Sequence, residues 1–261
     1  MHYSSGLEYI VGGSSYSNDL YSTINYFSKN VDDNYNFEIN NSINFESQYT
    51  KKALIIQYKN QQEYSTSYVA EHSFTPELFL NPSRPKARFI DDNGEAGSIA
   101  EETFELMMKE KLPENISINV LPFDEFKAIH SGFGAWSSGI LGFSINGDDK
   151  KIFARENNLD ALILVIGHEI GHVLTETLQN KHDEEAKAFA FSIEWAKTIK
   201  EHNVANLGLS IKEKIDFQPA RNGLHDVAFA FVDFIVKKGK KALGLHNDLV
   251  RKYVSVFDRV Y

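Results

Sequence analysis

Between residues 159 and 167 the chain reads Leu-Asp-Ala-Leu-Ile-Leu-Val-Ile-Gly, apolar at nearly every position. An apolar run without a polar stripe belongs to a helix covered on all sides. The pattern predicts a helix over 159–178, capped by Asn157 or Asn158. Asp160 falls in its first turn, where the helix dipole favours a carboxylate. Elsewhere the pattern alternates with a period of two. Residues 35–39, 43–46 and 53–58 read as strands separated by Asn- and Asp-rich turns, and 116–121, 140–145 and 151–154 as later strands. Helical spacing returns over 98–112, where Ser98 and Glu101 make a capping box and Pro113 sets the limit. It returns again over 182–202, 224–236 and 243–256.

These elements sort into an organisation. Residues 1–80 form a β-rich unit, and 81–97, with two prolines, two glycines and mixed charge, read as a linker. Residues 98–261 form a second domain: a helix, a few strands, then a helical C-terminal half. The expected class is α+β. A glycine-rich loop, 132–139, precedes the strand at 140–145.

Composition narrows the partners. Net charge is −9 over 261 residues, which argues against a nonspecific binder of nucleic acid or of an anionic membrane. No cysteine is present, so disulfides, thiolate metal sites and cysteine nucleophiles are excluded. The first residues lack the basic and apolar regions of a secretory signal. The longest apolar run, 161–167, is too short to span a bilayer. The expectation is a cytoplasmic protein with no membrane and no nucleic-acid partner.

Candidate chemistry lies at the end of the apolar run, in His168-Glu169-Ile170-Gly171-His172. Histidines four apart on a helix stand one turn above each other, so both imidazoles can reach one ion. Glu169 is turned about 100° away, placed to hold a water rather than the ion. This is the HExxH arrangement of zinc metallopeptidases, with two ligands and a general base. Gly167 and Gly171 each cost about 1 kcal/mol against alanine inside a helix. Their presence points to a close approach by a neighbouring backbone or ligand.

A third ligand is needed, and no metzincin or thermolysin-type motif supplies it. The candidates are His182, Asp183, Glu184 and Glu185. HEIGHVL followed by DEEAKAFA resembles the HExxH…ExxAxxFA pattern of ImmA/IrrE-type metallopeptidases over residues 160–195. That resemblance implies a zincin-like domain with a short twisted sheet, one strand of which pairs with extended substrate. The preferred strand is 140–145. It also implies that the first acid of the second motif ligates zinc. Position by position this is Asp183, followed by Ala186, Phe189 and Ala190. Asp is one methylene shorter than Glu and stands close to His172, which leaves Glu184 open. SprT-like zincins place a histidine in this region, which leaves His182 open too. Glu185 is expected to be dispensable for the metal. His225 or Tyr253 could donate to the oxyanion. The function so implied is a Zn2+-dependent peptidase acting on protein or peptide, with Glu169 as general base. The alternatives are a regulatory or binding protein on a zincin scaffold with a structural metal, and a zinc hydrolase of non-peptide amides.

Overall fold

A computed structural model describes residues 74–215 and 224–257. Its strands and helices are β1 (Phe89–Ile90), α1 (Asn93–Met108), β2 (Ile116–Leu121), α2 (Phe123–His130), β3 (Gly142–Ile145), β4 (Lys150–Arg155), β5 (Asn157–Asn158), α3 (Leu159–Val173), α4 (Lys181–His202), α5 (Leu224–Lys237) and α6 (Ala242–Val250). Small sheets in the first half and helices in the second make the class α+β. The strands read at 35–39, 43–46 and 53–58, and the β-rich unit through residue 73, lie outside the described residues. Among the described residues no helix is long and apolar enough to cross a membrane.

The main sheet has the order β2-β4-β3, with β2 parallel and β3 antiparallel to β4. Alternation along β4 sets its two faces. Ile152 and Ala154 join the core that contains α3, whereas Phe153 joins a smaller cluster with Phe126 and Ile129 of α2. The register pairs Phe143 with Phe153 and Ser144 with Ile152. Gly142 and Ser144 of the edge strand β3 therefore face α3, and Phe143 faces α2. The rings of Phe143 and Phe153 stack at 4.8 Å.

α3 is buried along its whole length, as its composition requires. Its entry is fixed by the pairing of β5 with β1 and by Arg84 Nε, 2.5 Å from the Asp160 carboxylate. Asn158 occupies the cap position but makes no side-chain capping bond. The two glycines are packing residues: a Cβ on Gly167 would run into the Trp195 ring, and one on Gly171 would sit 3.0 Å from the Ala188 Cα. Both contacts are with α4, so the glycines let the two helices cross closely. α3 stops at Val173, five residues short of the expected 178. Lys187 of α4 holds the end, donating to the carbonyls of His172 (3.0 Å) and Glu176 (3.2 Å).

The stretch read as a linker, 81–97, is part of this fold. Phe79 and Leu80 just before it are buried, and Leu80 bridges to Ile211. α1 starts at Asn93, because Asp92 accepts from the Glu95 N–H at 2.7 Å and caps the helix six residues before Ser98. Asp92 and Glu95 hold the same spacing as Ser98 and Glu101, and the earlier cap prevails. Ser98 lies inside the helix, its hydroxyl donating to the Gly94 carbonyl. α1 ends at Met108, with Lys109 in the left-handed region. α2, absent from the sequence reading, begins after Pro122 and buries Phe126, Ile129 and His130 at helical spacing. α6 ends at Val250, earlier than the expected 256.

Candidate metal centre

His168 and His172 face α4 from the last turns of α3, with their Nε2 atoms 3.2 Å apart. What lies behind each ring fixes its tautomer. The Ser192 hydroxyl donates to the Ala188 carbonyl (2.8 Å), so it accepts from His168 Nδ1 at 3.2 Å. Glu184 Oε1 accepts from His172 Nδ1 at 2.9 Å. With both Nδ1 atoms protonated, two Nε2 lone pairs confront each other. Nothing stabilises that arrangement except a proton or a metal ion between them.

Glu185 completes the cluster. Its side chain is fully buried, and Oε2 lies 3.6 Å from His168 Nε2, 3.8 Å from His172 Nε2 and 2.8 Å from His225 Nε2. A fully buried carboxylate is costly unless a cation or protonated partner stands beside it, and three imidazoles surround this one. The donor atoms of His168, Glu185 and His225 all lie within 4.8 Å of one another, and this buried triad could hold a metal ion. His172 belongs to the same cluster by its distances.

The titration behaviour agrees. Burial pulls His168 down to about 4. For His172 burial acts in the same direction, but the charges of Glu185 and Glu184 outweigh it and raise the group to about 9. Glu185 is held well below the usual carboxylate range: burial opposes ionisation, and His225 and His172 overcome it. Without a metal, His172 carries the proton that the lone pairs require.

The other residues singled out by sequence divide clearly. Glu169 is buried and lies beside a cleft lined by Phe143, Ser144, Asn146, Thr177 and His172. Its Oε2 accepts from the Ser144 hydroxyl at 2.8 Å. Burial raises it to about 7, against the opposing pull of His172 and the Ser144 bond. Asp183 is not brought to the histidines; it accepts from the Ser255 hydroxyl at 2.9 Å and the Val256 N–H at 2.6 Å, tying down the segment after α6. Glu184 reaches His172 from behind, through Nδ1. It also accepts from the Leu178 N–H (2.7 Å) and pairs with the fully buried Lys187 (3.0 Å). His182 lies edge-on to Phe257, 4.9 Å between centroids. Tyr253 is largely exposed. His225 is in the cluster.

Glu185, set aside in the sequence reading, is thus the acid beside the histidines. A signal for it existed. Glu185, Ala188 and Ser192 follow at i, i+3 and i+7, one face of α4, and this face meets Gly171 and His168. Sliding the second motif by two residues puts a glutamate first, keeps alanine and phenylalanine at Ala188 and Phe191, and lengthens the spacing from His172. Comparison with family models, curated proteins and solved structures finds no match to this chain.

Proposed function

We propose that the protein is a zinc-dependent peptidase with a zincin-like catalytic domain, His168, His172 and Glu185 being the metal ligands. The observation that carries this is the pair of Nε2 atoms at 3.2 Å beside a fully buried carboxylate that lies 3.6 and 3.8 Å from them. Two imidazoles and a carboxylate are a donor set suited to zinc. Zinc bound there supplies Lewis acidity toward a water molecule and toward a scissile carbonyl.

The chain's own residues supply the rest. Glu169, buried beside the cleft and held by the Ser144 hydroxyl, is placed to take a proton from water and to return it to the leaving amine. The Ser144 hydroxyl holds the carboxylate in place from β3. Among the described residues β3 is an edge of its sheet, and it lies beside the same cleft. Such an edge suits an extended peptide added as a further strand. The buried walls around His168 and Glu185 exclude bulk water and strengthen the local electrostatics.

Replacing Glu169 tests the reading. Glu169→Gln keeps shape and zinc content but removes the base, and turnover of a peptide library should fall about 10²–10⁴-fold. A wild type that binds zinc but cleaves nothing would instead support a structural metal, a reading favoured by the fourth nearby donor, His225.

A further inference from the structure

A catalytic zinc needs three protein donors and one open position. In this cluster a fourth donor stands close. His225 belongs to the first turn of α5 and is buried, its ring edge-on to Phe189 at 5.6 Å and to His168 at 6.2 Å. Its Nε2 lies 2.8 Å from Glu185 Oε2. The donor atoms of His225, His168 and Glu185 all lie within 4.8 Å of one another, a convergence that suits one shared ion. A tetrahedral ion with bonds about 2.0–2.1 Å long sets its donors about 3.3 Å apart. Four of the six separations among these donors, 2.8, 3.2, 3.6 and 3.8 Å, straddle that spacing.

We infer that His225 is a fourth protein ligand, so that the resting metal centre is closed and opens when the His225 imidazole withdraws. The inference rests on the metal reading above and adds to it a means of regulation. The position of His225 suits the role. Backbone N–H groups in the first turn of a helix have no intrahelical partners, so this turn opens at least cost. The cleft that admits substrate, by contrast, lies at Glu169 and His172. Displacing His225 would therefore free a coordination position without dismantling the substrate wall.

Cobalt(II) bound to the full chain reports the difference, because its visible spectrum follows coordination number and entry of outside ligands. Wild type should give a four-coordinate spectrum that added azide leaves unchanged. His225→Phe keeps a ring among Phe189 and His168 but removes the nitrogen. It should bind cobalt roughly 10-fold or more weakly, and azide should alter its spectrum. His225→Gln provides a second variant should the phenylalanine disturb folding. A wild-type spectrum that moves with azide as the variants' do would overturn the inference alone, leaving His225 a neighbour of Glu185. Failure of wild type to take up cobalt or zinc would overturn both the inference and the reading beneath it.

Discussion

His168 and His172 stand four residues apart on α3, and their nitrogens meet within 3.2 Å. Asp183, Glu184 and Glu185 stand side by side at the start of α4, and they go to three different places. Asp183 holds the segment after α6, Glu184 braces His172 from behind, and Glu185 enters the histidine cluster. The contrast follows from the helix. Four residues nearly complete a turn and return to the same face, whereas each single step turns a side chain by about 100°. Three adjacent acids of similar chemistry therefore have distinct partners, and only the crossing of α4 over α3 decides which one meets the histidine nitrogens. The close packing of Gly171 on Ala188 sets that crossing.

The division of labour can be broken one carboxylate at a time. Glu184→Gln should have the larger effect of the two outer positions. It leaves an oxygen for His172 Nδ1 but removes the charge, and zinc affinity should drop about 10–100-fold by competition titration. The same variant has a pH signature in metal-stripped protein. Folded His172 titrates at about 9, against 6.5 for the ordinary group. Its protonation thus stabilises the fold fully below pH 6.5, and that stabilisation is lost as pH rises through 9. Removing the Glu184 charge lowers the folded value, so melting temperature should fall less over this window than in wild type. An unchanged pH dependence would separate Glu184 from His172.

Asp183→Asn should act elsewhere and more weakly. The loss of charge-assisted bonds to Ser255 and Val256 should cost about 1 kcal/mol at this partly exposed place, and the segment after α6 should become more sensitive to protease. Zinc affinity should stay within about twofold of wild type, since the carboxylate shares no partner with the ligands. A large loss of zinc in this variant would return Asp183 to the centre and undo the contrast.

Much of this architecture was legible because local signals were strong and uncontested. The apolar run and HExxH spacing located α3, and the alternation at 116–121 matched β2. The C-terminal helices were placed to within a few residues apart from the end of α6. Legibility failed where two local solutions competed or where geometry depended on a partner. Asp92 with Glu95 and Ser98 with Glu101 offer the same cap, and only the structure shows the first in use. α3 ends where Lys187, a residue of the next helix, captures its carbonyls. The acid beside the histidines is Glu185, two residues and about 200° of helix rotation beyond Asp183. His225 was noticed as an oxyanion donor, but its place beside Glu185 comes from the packing of α5 on α4, which periodicity does not encode.

The most direct measurement is zinc binding by Glu185→Gln, followed by competition titration of the full-length chain with a fold check by circular dichroism. Glutamine preserves volume and removes the buried charge that faces His168, His172 and His225. Glu185→Gln should fold, and its zinc affinity should fall at least about 100-fold, beyond the change in Glu184→Gln. A folded Glu185→Gln that binds zinc as tightly as wild type would contradict the ligand role of Glu185.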